Sequence, residues 1–299
     1  MARGRASAGF GFQGNDMATL RGGSAADKLY GTKGNDVLYG NGGDDHLVGG
    51  AGFDQLYGGT GNDRLSGGEG TNDLYGDSGN DTLVMEEYGL VSESASLFSG
   101  GTGADTLHIV AGKTEVRTDP FSDSLDTAPA RIAIDLDDYG PGGFLYFQDS
   151  NRAPTVFEGA GSFTGIEAFT VSSSTRLDFY GGKDNAAVTG GNYADLFQGG
   201  SGSETFKGGG GADVFYMPWN DPATKLGNDR IVGFNAAEGD RIMKAYFTGA
   251  HGVDLKTTAV EKNGHTIFTS RTADGTVIHT LDVDAVGLPP GTFADHIWA

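Results

Sequence analysis

Seven consecutive nonapeptides between Gly22 and Val84 obey one formula: glycine first, an acid or its amide sixth, leucine eighth. They read GGSAADKLY, GTKGNDVLY, GNGGDDHLV, GGAGFDQLY, GGTGNDRLS, GGEGTNDLY and GDSGNDTLV. Their leucines, Leu29, Leu38, Leu47, Leu56, Leu65, Leu74 and Leu83, never slip out of register. With leucine at about a tenth of positions, seven such coincidences have odds on the order of 10⁻⁷, so this is a repeat and not low-complexity linker. A strict period of nine constrains the fold severely, because each unit can bury its leucine only against copies of itself. Nine residues divide into a six-residue turn and a three-residue strand. Side chains alternate along a strand, so the eighth residue points inward and its neighbours outward. Two nonapeptides close one flattened coil, and successive coils stack at roughly the 4.8 Å strand spacing. The expectation is an all-β chain built as a parallel β-roll.

Repeats of equal parity overlie one another in such a stack. One edge then carries Asp27, Asp45, Asp63 and Asp81; the other carries Asp36, Asp54 and Asn72. Carboxylates stacked at that spacing repel unless a hard divalent ion lies between them, with turn carbonyls completing a shell of six to eight oxygens. Glycine suits the turn because it tolerates positive φ and lets carbonyls approach. Magnesium keeps its waters, which favours calcium. One buried leucine, worth about 1.5–3 kcal/mol, is the only apolar return for ordering nine residues. The coil is therefore expected to be largely disordered without metal and folded with it.

The chain has 299 residues, a net charge of −20 and a pI near 4.4, with only 20 Lys and Arg. That balance argues against nucleic acid and anionic membrane surfaces as partners. Cysteine is absent, which fits a fold stapled by metal and not by disulfides. No run approaches the eighteen or so apolar residues of a membrane span. Met1–Asn15 is basic but lacks an apolar h-region, so it does not read as a secretory signal peptide.

Five segments follow from the pattern. Residues 1–21 are a degenerate lead-in, although Leu20 keeps the leucine register. Residues 22–112 form the first roll block, in which the repeat breaks after Val84 and returns once as GGTGADTLH with Asp105 and Leu107. Residues 113–175 are an inserted β-rich segment containing RIAIDLDDYG and GGFLYFQDS. Residues 176–216 hold a second array, GGKDNAAVT, GGNYADLFQ, GGSGSETFK and GGGGADVFY, with Val188, Phe197, Phe206 and Phe215 inward. There Asp195 and Asp213 share one edge, Glu204 sits on the other, and Ala186 has lost the ligand, so fewer ions are expected. Residues 217–299 read as a cap, with a hairpin turning at Asp274-Gly275. A roll needs a cap, since its open end exposes strand edges.

This repeat resembles that of the RTX family of secreted bacterial proteins. The resemblance implies carboxylate ligands at Asp27, Asp36, Asp45, Asp54, Asp63 and Asp81, with Asn72, Asp105, Asp195 and Asp213 at equivalent positions. It further implies carbonyl ligands from Gly31, Gly34, Gly40, Gly43, Gly49, Gly50, Gly52, Gly58, Gly59, Gly61, Gly67, Gly70, Gly76 and Gly79. Asn72 keeps an oxygen but loses its charge, and Ala25 replaces the fourth-position glycine of the first repeat; weaker sites are expected at both. By the same resemblance the protein leaves a bacterium through a type I exporter, guided by a C-terminal signal within the cap, and works outside the cell.

Catalytic signatures are sparse. No histidine is followed by glutamate, so the zinc-protease H-E-x-x-H is missing, and no G-x-S-x-G occurs. The acids Asp135, Asp137 and Asp138 read as a solvated strand edge, and His46 and His108 as outward surface residues. Tyr39, Tyr57 and Tyr75, spaced by two repeats, should stack on one sheet face. Such a ladder either binds sugar rings or braces neighbouring strands, and bracing is favoured. The function expected is a non-catalytic, calcium-folded component of a cell surface or extracellular matrix. The alternative is a polysaccharide lyase or epimerase, or the calcium-binding module of one.

Overall fold

The computed structural model describes residues 17–87, 96–111, 131–136, 143–148, 158–172, 176–217, 227–247, 256–289 and 293–298. Among these residues every regular element is a strand, and no helix occurs. The chain forms two compact units: Met1–Gly112 with Ala160–Ile166, and Lys113–Gly159 with Glu167–Ala299.

The first unit contains β1 (Thr19–Arg21), β2 (Lys28–Tyr30), β3 (Val37–Gly42), β4 (His46–Ala51), β5 (Gln55–Thr60), β6 (Arg64–Glu69), β7 (Asp73–Ser78), β8 (Thr82–Glu87), β9 (Ser96–Thr102) and β10 (Thr106–Ala111). After two strands of the other unit, β11 (Arg131–Leu136) and β12 (Gly143–Gln148), it closes with β13 (Glu158–Thr164). Odd and even strands separate into two parallel sheets, ordered β1-β3-β5-β7-β9-β13 and β2-β4-β6-β8-β10. The registers set each residue against its counterpart two repeats on: Leu38 against Leu56, Leu56 against Leu74, Leu47 against Leu65, Leu65 against Leu83. The leucines from Leu38 to Leu83, with Leu107, have no exposed surface. The parallel β-roll read from the nonapeptide period is thus present.

Strand length differs from the expected three residues. Strands β3 to β7 span six, because the parallel ladder continues into the glycine-rich segment, pairing Asn41 with Gly59 and Gly50 with Gly68. Glycine there has no Cβ to keep one coil's backbone from the next. The ladder also begins before Gly22, since Thr19, Leu20 and Arg21 pair with Val37, Leu38 and Tyr39.

The second unit adds β14 (Ala168–Val171), β15 (Arg176–Tyr180), β16 (Ala187–Thr189), β17 (Leu196–Gln198), β18 (Thr205–Lys207), β19 (Val214–Met217), β20 (Asn228–Ile231), β21 (Arg241–Phe247), β22 (Lys256–Lys262), β23 (His265–Arg271), β24 (Val277–Val283) and β25 (Phe293–Trp298). Its sheet orders are β12-β11-β15-β17-β19-β21-β25 and β14-β16-β18-β20-β24-β23-β22. The antiparallel pair β11–β12 joins the parallel stack through β15. Aromatic residues replace leucine inside: Phe197 stacks on Phe215 at 5.0 Å and packs against Phe206 at 5.4 Å. Strands β23 and β24 form an antiparallel hairpin whose turn contains Asp274 and Gly275. Asp137 and Asp138 lie outside the described residues; Asp135 is exposed on β11.

Candidate metal centre

From Asp36 to Asp105, each sixth-position side chain of the first unit spends one oxygen on the backbone of the preceding coil. Asp45 Oδ1 accepts the N–H of Asp27, Asp63 that of Asp45, Asp81 that of Asp63, and Asp105 that of Asp81, all at 2.7–2.8 Å. On the other edge Asp36 caps Ala18, Asp54 caps Asp36, and Asn72 caps Asp54. A carboxylate therefore closes the coil before it, a role the spacing alone did not disclose.

The second oxygen defines the site. Asp45, Asp54, Asp63 and Asp81 are at most 3% exposed, and their Oδ2 atoms are buried without a hydrogen-bond partner. Each lies beside the first glycine of its own repeat. A Cβ on Gly40, Gly49, Gly58 or Gly76 would sit closer than 3.0 Å both to that oxygen and to a carbonyl oxygen of the next coil, from Gly58, Gly67, Gly76 or Gly100 respectively. Glycine is required there for space, not for its dihedral freedom.

Asn72 reveals what the remaining carbonyls do. Its Nδ2 donates to the carbonyls of Gly68, at 3.2 Å, and Gly70, at 3.5 Å. The amide nitrogen of the sixth residue thus reaches the carbonyls of the second and fourth. In the aspartate turns an oxygen replaces that nitrogen, so acceptor faces acceptors. A pocket walled only by acceptors is unfavourable until a proton or cation enters. The second and fourth positions hold the needed backbone in the left-handed region, as at Gly50 (φ 119°) and Gly52 (φ 118°). Asn41 (φ 74°) and Asp77 (φ 72°) adopt it without being glycine. Their polar side chains tolerate it better than any apolar one.

Not every candidate residue sits in an open turn. Asp27 Oδ2 accepts the N–H of Gly23, and Asp36 Oδ2 accepts both the N–H and the hydroxyl of Thr32. Thr32, like Gly23, stays out of the left-handed region, and in that conformation its N–H turns toward the carboxylate. Asp195 resembles these, with Oδ1 on Leu177 N–H and Oδ2 on Gly191 N–H. Asp213 caps Asp195 and follows left-handed Gly209 and Gly211, as in the open turns. The carbonyls of Gly43, Gly61 and Gly79 face the fourth-position glycine of the next coil. Gly34 and Gly59 belong to the same turn segments, and Gly31 lies directly over Asp36 Oδ2.

The electrostatics agree with the geometry. Burial pushes the Asp54 carboxyl up to about 6 and Asp81 up to about 7, and raises Asp45 and Asp63 as well. Repulsion from neighbouring aspartates adds to each shift but is the smaller cause. The spacing argument placed repulsion first; desolvation outranks it, because each Oδ2 is sealed under a coil. Burial likewise takes Asp195 to about 7 and Asp213 to about 6. Among the described residues no three His, Cys, Asp or Glu side chains converge as a metal-binding cluster. An ion here would take most of its ligands from carbonyls, which suits a hard, oxygen-seeking cation.

These features coincide with a match to the family model described as the RTX calcium-binding nonapeptide repeat (4 copies), at residues 21–56, 49–83 and 180–216. The chain carries RTX calcium-binding repeats. The matched segments cover about a third of the 299 residues. No curated protein matches the chain.

Two further features surround the RTX turns. A second ladder runs at the fifth position with the opposite sense: Asp44 Oδ1 accepts the N–H of Asn62, and Asn62 Oδ1 that of Asn80. Its signal, the recurring Asn or Asp before the sixth residue in GNDVL, GDDHL, GNDRL and GNDTL, was legible but carried no weight in the leucine-based reading. On the outer sheet face Tyr39, Tyr57 and Tyr75 stack at 5.0 and 4.8 Å with planes within 9°, and the Arg21 guanidinium lies 3.9 Å over Tyr39. Ring faces inside the stack are occupied by one another, so outward contacts fall to ring edges and hydroxyls.

Proposed function

We propose that the protein is a secreted calcium-dependent β-roll which folds outside the cell and serves as a non-catalytic component of a surface or matrix. The observation that carries the calcium-linked part is the set of buried Oδ2 atoms at Asp45, Asp54, Asp63 and Asp81, each in a cradle of acceptors. In this reading the four carboxylates supply the anionic ligands. Carbonyls of the first, second and fourth turn residues, such as Gly40, Gly43, Gly49, Gly50, Gly52, Gly58, Gly61, Gly76 and Gly79, supply the rest. Asp105 extends the Asp45–Asp63–Asp81 stack of the first unit and Asp213 offers a comparable position in the second, while Asp27, Asp36, Asn72 and Asp195 are poorer positions because nitrogen already occupies their cradles. A bound cation would remove the desolvation cost of each carboxylate, so binding energy becomes folding energy.

Extracellular placement follows from that linkage, since free calcium is abundant outside cells, and from the RTX resemblance, which also suggests a type I exporter. Among the described residues no helix is long and apolar enough to cross a membrane. Far-UV circular dichroism tests the folding claim. The chain should lose much of its sheet in excess chelator, the first unit foremost, and millimolar calcium should restore it. Equal sheet content in both conditions would refute calcium-dependent folding. Incubation of the calcium-loaded protein with a panel of polysaccharides tests the role, with retention and no cleavage expected.

A further inference from the structure

The Glu204 turn shares one trait with the open turns, a buried oxygen (Oε1) without a hydrogen-bond partner, and departs from them in how the next carboxylate of its edge is held. It occupies the sixth position of GGSGSETFK, with a side chain one methylene longer than the aspartate found elsewhere. Its Oε2 accepts the N–H of Gly200, and its own N–H donates to Asp229 Oδ1 at 3.0 Å. Asp229, on β20, is the carboxylate that continues this edge. Its Oδ2 lies 3.0 Å from Nε2 of His279, which reaches in from the adjacent parallel strand β24. Both side chains are 2% exposed. The ring has no second partner, since Nδ1 is buried without a hydrogen bond. As at the other first-position glycines, a Cβ on Gly199 would crowd the carboxylates, standing closer than 3.0 Å to Asp229 Oδ2 and 3.1 Å from Glu204 Oε2.

We propose that His279 takes the place of a cation at Asp229, so that this carboxylate at the end of the stack closes on protein donors alone and needs no calcium, although Glu204 Oε1 beside it is buried without a hydrogen-bond partner. Asp229 receives two donors, the Glu204 N–H and the His279 ring, where Asp45 or Asp81 receives one donor and an acceptor cradle. Burial first, and then the neighbouring Asp229, push the Glu204 carboxyl up to about 9. The opposite edge of the same unit ends in like fashion. Asp240 accepts Asp213 N–H at 3.0 Å on Oδ1 and Asn235 N–H at 2.7 Å on Oδ2. Both carboxylates that terminate the repeat ladder here are satisfied by nitrogen. The second unit therefore has a metal-free anchor, built by a histidine that lies some fifty residues beyond the aspartate it serves.

Hydrogen exchange of the full chain, read by mass spectrometry with and without chelator, tests this. Segments 204–207, 228–231 and 277–283 should stay protected in chelator, while 46–51 and 64–69 should exchange at least about tenfold faster than with calcium. His279→Leu strands the Asp229 carboxylate and should speed exchange at 204–207 and 228–231 by roughly tenfold to a hundredfold in chelator. His279→Gln, whose amide can still donate, should retain most of the protection. The number of calcium ions taken up, by calorimetry, should be the same in all three proteins. The proposal is overturned if chelation exposes the 204–231 region as fully as the first unit. It is equally overturned if His279→Leu changes nothing there, or if that variant binds one ion fewer. Should His279→Leu fail to fold, the wild-type comparison decides.

Discussion

At the residue scale, the sixth-position aspartate does two jobs with two oxygens. Oδ1 holds the N–H of the preceding coil, and Oδ2 waits in the acceptor cradle. Substitution at Asp54 separates them. Asp54→Asn keeps an oxygen for the Asp36 N–H and places an amide where Asn72 already shows it fits. This variant should bind one ion fewer by calorimetry, yet hold more sheet in chelator than the parent. Asp54→Ala loses both functions and strands a buried N–H, which costs about 1–3 kcal/mol. It should lose the ion and also lower the calcium-loaded melting temperature. Equal behaviour of the two variants would show that the oxygens are not divided as the distances indicate.

At the scale of the turn, the second residue decides whether a cradle is open. Left-handed Gly50, Gly59 or Asp77 turns its N–H away from the carboxylate; Thr32 and Gly23 turn theirs toward it. Thr32→Gly removes the β-branch and the capping hydroxyl together. With the hydroxyl gone and the left-handed region accessible, the Asp36 turn should bind calcium more tightly than in the parent by calorimetry, with the other sites unchanged. Most of this architecture was legible in the chain. Leucine at every ninth position fixed the inward stripe and the parallel register, and equal parity sorted Asp45 with Asp63 and Asp36 with Asp54. The difference between open and capped turns was not legible from the sixth residue, because it depends on φ at the second. Nor could Asp229 and His279 be read as partners, since their meeting depends on how β24 lies beside β20 and not on any local period.

At the scale of the molecule, buried acids make folding depend on protons as well as metal. Asp54 and Asp81 have pKa values raised in the metal-free fold, to about 6 and about 7. A carboxyl raised on folding stabilises the folded state while protonated, so its contribution is complete below pH 4 or so and lost as pH rises through 6 to 7. Without calcium, sheet content should therefore increase as pH falls from 8 to 5. Calcium requires the deprotonated form, so the calcium concentration at half-saturation should rise over the same fall. Circular dichroism titrated against both pH and calcium reads the two trends together. The most direct measurement is a crystal structure of the calcium-loaded chain with anomalous scattering collected to locate the ions. Peaks should appear beside Oδ2 of Asp45, Asp54, Asp63 and Asp81, enclosed by turn carbonyls. Their absence there, or ions found only on exposed acids such as Asp44, would contradict the account.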